Sequence, residues 1–118
     1  MRIAQLAPLS ESVPPTGYGG SELVVSLLTE ELVRLGHEVT LFASADSVTE
    51  ARLVQIAPTG LRLLQEPRHR WAAYDLKALI KLKEMSREFD LIHNHMGYQA
   101  LPMLEALQKP VVSTNHNP

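Results

Sequence analysis

The sequence predicts an α/β fold: a parallel sheet of about five strands with helices on both faces. Two observations carry this expectation. Short apolar runs alternate along the chain with longer segments of helical periodicity. The first two strand candidates are joined by a glycine-rich loop and a helix, which makes a βαβ unit with a right-handed crossover. The length, 118 residues with 45% apolar and 20% charged, allows one domain with its own core.

Each element has its own signal. "RIAQLAP" (2–8) is an apolar run stopped by Pro8 and reads as a buried strand. "LSESVPPTGYGG" (9–20) holds two prolines and three glycines and reads as a long loop. In the helix that follows, Val24, Leu27, Leu28, Leu32 and Leu35 share one face, and Glu30 and Arg34 form an i,i+4 pair on the other. Gly36 supplies a left-handed stop, and "HEVTLFAS" (37–44) is the second strand. "ARLVQIAP" (51–58) is the third. Residues 69–89 form a long helix with Ala72, Ala73, Leu76, Leu79 and Ile80 inward and Lys77, Lys81 and Arg87 outward. "DLIHNH" (90–95) is the fourth strand. Residues 97–108 form a short helix that tolerates Pro102 only in its first turn, and 109–118 contain the fifth strand.

Composition narrows the function. A net charge of −2 gives no reason to expect nucleic acid. The absence of cysteine removes disulfides, thiolate metal sites and a Cys nucleophile, and fits a reducing compartment. No apolar run is long enough to span a bilayer, and the N-terminus has too short an apolar run for a signal peptide, so the expected location is cytoplasmic.

Parallel α/β sheets bind ligands outside the carboxyl ends of their strands, so the informative residues are those just after each strand. They are Gly17, Gly19 and Gly20 after the first, Ser44 and Asp46 after the second, His93 and His95 at the end of the fourth, and Thr114, Asn115, His116 and Asn117 after the fifth. Gly19 and Gly20 precede a helix N-terminus, whose free N–H groups suit a phosphate; a plain tight turn is the alternative. The familiar cofactor motifs fail. A G-x-G-x-x-G pattern begun at Gly17 meets Glu22 at its third position, no Gly-Lys-Ser/Thr exists, and no G-x-S-x-G elbow is present. His93 and His95 alternate on a strand and face one side, as two zinc ligands would, with His116 a conceivable third. No carboxylate cluster accompanies them, so a structural role is expected, with His93 the more buried. His116 stands where a strand hands over to a loop, and serves either a ligand hydroxyl or proton shift or simply a polar loop. Arg68, Arg70 and Trp71 read as a solvated helix start or as a contact to a membrane surface or anionic acceptor.

In order and spacing, "MRIAQLAP", "GGSELVVSLLTEELVRLGHEVTLFAS", "FDLIHNHMG" and "KPVVSTNHNP" resemble the N-terminal domain of family 4 (group 1) retaining glycosyltransferases of the GT-B class, over essentially the whole chain. The resemblance implies a Rossmann-like, acceptor-side half of a two-domain enzyme whose C-terminal domain holds the donor. It implies no cofactor: a nucleotide-diphosphate sugar is a substrate, transferred without metal to a carbohydrate or lipid-linked acceptor. It places the Gly19–Gly20 backbone near the donor diphosphate or the acceptor, His95 and Asn115 in the cleft, and His116 at the catalytic position, approaching the donor sugar. It further implies that residues 1–118 are a truncated single domain, inactive alone, with no cations of its own for the leaving diphosphate and an edge strand inviting homo-oligomers. Acceptor choice falls to residues 9–20 and 59–72. The alternatives are a non-catalytic nucleotide- or partner-binding module and a sugar-nucleotide epimerase of the same architecture. The enzyme would lie in the cytoplasm or peripherally at the inner face of a membrane.

Overall fold

A computed structural model describes residues 1–116, and within it every expected element forms. The order is β1 (Arg2–Leu6), α1 (Gly20–Arg34), β2 (Glu38–Ala43), β3 (Arg52–Gln55), α2 (Trp71–Met85), β4 (Leu91–Asn94), α3 (Leu101–Ala106) and β5 (Val111–Ser113). The strands pair in parallel in the order β3-β2-β1-β4-β5, with β5 at one edge. The chain thus winds outward from β1 through β2 to β3, then returns to place β4 on the other side of β1. That reversal opens a crevice at the carboxyl ends of β1 and β4.

Side-chain alternation divides the sheet into two unlike faces. Ala4, Leu6, Phe42 and Ile92 point to one face, where Ala78, Leu79 and Leu82 of α2 and Leu104 of α3 complete the larger core cluster. Phe42 and Phe89 meet edge to face there, with ring centroids 5.9 Å apart. Ala7, Leu41 and Ala43 point to the other face and pack on Val25 of α1. Register places Gln5 of β1 beside Leu41 on one side and His93 on the other, so the α1 face turns polar toward β4.

That polarity corrects the expected face of α1. The helix buries Glu22, Val25, Ser26 and Thr29, whereas Leu27 is 64% exposed and Val24 and Leu35 are also exposed. The sheet below offers the Gln5 amide, which donates to the Thr29 hydroxyl at 3.1 Å. A hydrogen-bonded polar pair holds the helix in that rotation, because either group buried alone would lose its solvation uncompensated. The i,i+4 pair is also corrected. Arg34 pairs with Glu31, while Glu30 accepts from the Thr49 hydroxyl and the Glu50 N–H and ties α1 to the loop after β2.

In α2 only Leu79 of the expected inward set is buried; Leu76 and Ile80 are exposed, as are Ala72 and Ala73. Trp71, Tyr74, Ala78, Leu82 and Met85 form a second stripe at helical spacing, and this one meets the core. Its aromatic members bury more surface than the alanines they displace. The helix punctuation is as expected: Gly36 takes φ 96° after α1, and Pro102 sits in the first turn of α3. Among the described residues, no helix is long and apolar enough to cross a membrane.

Candidate active site

A cleft of about 220 Å³ opens at the β1/β4 reversal. The β1–α1 loop forms one wall through Glu11, Tyr18 and Gly19, and His95 and His116 form the other. The 9–20 loop is braced from outside: Leu61 and Arg62 donate backbone N–H groups to the carbonyls of Leu9 and Ser10. Gly60 makes this approach possible, since a Cβ there would lie 2.8 Å from the Glu11 Cα. The two segments expected to bear on acceptor choice therefore meet where residues 60–62 run beside 9–11, and Arg62 carries the second segment to the cleft. Arg62 pairs with Glu11 at 2.6 Å, and its guanidinium lies 5.5 Å from the centre of the Tyr18 ring.

The two glycines of the α1 entrance do different jobs. Gly19 has φ 151°, and a Cβ on it would sit 2.8 Å from the Pro15 Cβ, so the chain itself demands glycine there. Gly20 has open space where its Cβ would be. The chain's own packing therefore does not demand glycine at 20. Gly19 provides no side-chain cap, which leaves the first N–H groups of α1 without intrahelical partners. Glu22, buried in that first turn, lines the same cleft. Burial pushes its carboxyl upward and the Glu11 charge adds to this, while the N–H groups of Glu22 and Glu11 offset it in part. The entrance thus combines backbone donors with two carboxylates. One cation of the chain, Arg62, does reach the cleft, but its charge is met by Glu11.

The opposite wall is built from three imidazoles. His93 and His95 lie with ring centroids 3.9 Å apart, as expected for residues facing one side, and His95 and His116 lie 5.2 Å apart. His95, not His93, is the more buried, because its ring lies among Gln5 of β1, the His93 ring and His116. The His93 Nε2 meets the Thr114 hydroxyl at 2.7 Å. The His95 Nδ1 meets the His116 Nε2 at 3.0 Å, and its Nε2 meets the Gln5 Oε1 at 3.1 Å. Burial first, then the neighbouring His93 and His116, hold His95 down to about 3, so it is neutral at ordinary pH. Burial, with help from His116, lowers His93 as well. The His93 and His95 rings face each other, the His95 and His116 rings meet edge to edge, and no group of three or more His, Asp or Glu among the described residues converges on a metal position.

Gly19, Gly20, His95, Asn115 and His116 are all brought to this one cleft. Ser44 and Asp46 are not. Ser44 donates to Asp46, whose other oxygen accepts the Gly60 N–H at 3.3 Å, so they brace loops. Thr114 serves His93, and Asn117 lies outside the described residues. Residue-by-residue reading missed Gln5, Glu11, Glu22 and Arg62. Gln5 does leave a signal: an amide inside an otherwise apolar run of a buried parallel strand needs a partner.

A model of glycosyltransferase family 4 matches residues 18–118. The chain belongs to glycosyltransferase family 4. Its fold is that of solved GT-B glycosyltransferases. It matches AviGT4, a glycosyltransferase involved in avilamycin A biosynthesis, with TM-score 0.59 and 23% identity over 98% of this chain and 32% of that one. It matches sucrose-phosphate synthase from Thermosynechococcus elongatus with TM-score 0.70 and 19% identity over 98% of this chain and 33% of that one. The family 4 chain thus spans about a third of the length of these solved structures. No curated protein sequence matches it.

Proposed function

We propose that this family 4 chain forms the acceptor side of a retaining, metal-independent glycosyltransferase that uses a nucleotide-diphosphate sugar. The observation that carries the proposal is the pairing of walls in one cleft: α1-entrance donors with Glu11 and Glu22 on one side, the His95–His116 pair on the other. Free N–H groups beside two carboxylates supply donors and acceptors together, which suits sugar hydroxyls. A diphosphate at the same spot would meet the carboxylates of Glu11 and Glu22, and Arg62, the cation that reaches the cleft among the described residues, is already paired. The entrance is therefore assigned to carbohydrate hydroxyls. The leaving diphosphate, on which charge builds as the glycosidic bond breaks, is assigned to cations of a second, donor-binding domain. His116 lies at the reacting end, within reach of a ligand hydroxyl, and Asn115 beside it offers an amide to a sugar hydroxyl. The 118-residue chain then binds sugar but does not transfer it alone. The acceptor is a carbohydrate or a lipid-linked sugar; the reading places the enzyme in the cytoplasm, with the exposed Arg68 and Arg70 available to a membrane surface.

Two experiments test this. Titrating the 15N-labelled chain with simple hexosides and with nucleoside diphosphates should shift the Gly19, Gly20 and His116 amide signals with the sugar. Shifts confined to other regions, or shifts at Gly20 with diphosphate alone, overturn the assignment. The intact enzyme, incubated with nucleotide sugars in chelator, should give a product with the donor's anomeric configuration; an inverted product or loss of activity with chelator refutes the mechanism.

A further inference from the structure

A chain of four side chains runs from the interior to the cleft: Thr29 of α1, Gln5 of β1, His95 and His116. We propose that Gln5 and Thr29, neither of which touches the cleft, act as positioning residues that set the proton on His116, fixing it as the Nε2–H tautomer with Nδ1 as its basic nitrogen.

The chemistry of each contact leads to the next. Gln5 Nε2 donates to the Thr29 hydroxyl at 3.1 Å, which turns the amide oxygen toward His95. That oxygen only accepts, so the His95 Nε2, 3.1 Å away, carries the hydrogen. His95 is buried and neutral and holds a single ring proton. Its Nδ1 is therefore a bare lone pair. The 3.0 Å contact from Nδ1 to the His116 Nε2 is a hydrogen bond only when His116 donates. In neutral His116 the remaining nitrogen, Nδ1, is then the acceptor. A proton taken from a ligand hydroxyl enters at Nδ1, and the Nε2–H bond to His95 survives it unchanged. His95 thus orients His116 as an acceptor-bearing residue orients a catalytic histidine in hydrolytic triads, using a neutral imidazole in place of a carboxylate.

The network's cost explains its placement. Thr29, Gln5 and His95 are buried, where an unpaired polar atom costs about 1–3 kcal/mol, and His116 is half-buried at the cleft. Every member is paired, from the helix to the cleft, so the tautomer is held by the same contacts that hold α1 in its rotation. A flipped Gln5 amide would reverse every proton in the chain and leave His116 with a bare Nε2.

The inference rests on the reading of His116 as the residue at the reacting end, but its test does not use turnover. Long-range 1H–15N correlation of the histidine rings, on the 118-residue chain near pH 8, reads the protonated nitrogen directly. The expected pattern is Nε2–H for both His95 and His116. In Gln5→Leu the acceptor is gone, and the signals of both rings move toward the averages of mixed tautomers. In Gln5→Glu, whose carboxylate only accepts, the original pattern returns. Thr29→Val, which keeps the shape but frees the Gln5 amide, gives the mixed pattern and serves if Gln5→Leu does not fold. Nδ1–H on His116 in the unaltered chain overturns the proposal, and so does an unchanged pattern in whichever of Gln5→Leu or Thr29→Val folds. A chain that passes this test yet binds no sugar leaves the tautomer assignment standing and removes the sugar-binding reading of the cleft instead.

Discussion

Acidification should destabilise this domain through His95, by an amount that can be worked out. The ring is buried and held at about 3 in the fold, against an ordinary value of 6.5. A base depressed in this way binds its proton in the unfolded chain first. Stability therefore falls as pH drops below the unfolded value and continues to fall until the folded value is reached. Between pH 7 and pH 5 the loss from this one group is about 2 kcal/mol, a sizeable share of a stability of roughly 5–15 kcal/mol. Asp75 works the other way. Burial raises its carboxyl to about 6 from 3.8, so it takes up a proton in the fold and returns about 1 kcal/mol over the same interval. Comparing His95→Gln with the unaltered chain cancels Asp75, which is present in both. Urea unfolding followed by circular dichroism at pH 7 and pH 5 should show the unaltered chain losing about 2 kcal/mol more than the variant. His95→Gln is itself less stable at pH 7, since Gln5 and His116 lose a partner. Equal pH losses in the two proteins would refute the picture of a buried neutral ring.

Other outcomes follow from the same contacts. Gly19→Ala must strain φ and push on Pro15, costing on the order of 1–3 kcal/mol in thermal unfolding, whereas Gly20→Ala should leave the melting temperature unchanged and weaken sugar binding; similar melting temperatures for the two variants would contradict the division of labour. On α1, Val25→Ala should cost on the order of 2 kcal/mol and Leu27→Ala less than about 0.5 kcal/mol, the reverse of what the leucine stripe suggests; denaturant midpoints decide it. In the intact enzyme His116→Ala should lower kcat by about 10² or more with the fold retained by circular dichroism, and unchanged turnover would reduce His116 to a loop residue.

The sequence by itself determined the order and type of the elements. Period-2 runs stopped by Pro8 and Pro58, the helix stop at Gly36 and the first-turn proline at Pro102 are local signals, set by backbone geometry within a few residues. They also fixed the end of the sheet at which chemistry gathers, because parallel strands present all their carboxyl ends on one side. The meeting of Gly19, Gly20, His95, Asn115 and His116 at one cleft was legible for that reason. What the tertiary structure decided was rotation and partnership. The leucines of α1 and the row of Ala72, Ala73, Leu76, Leu79 and Ile80 in α2 make valid apolar stripes, yet of the α2 row only Leu79 reaches the core, and Leu27 and Leu35 of the α1 stripe face solvent. The choice depends on what the opposing surface offers: an amide at Gln5 for Thr29, and room beside Phe42 and Phe89 for the aromatic stripe of α2. The same holds for the cleft. Gln5, Thr29 and His95 lie 24 and 66 residues apart in succession, and only strand register and helix rotation turn them into one hydrogen-bonded path.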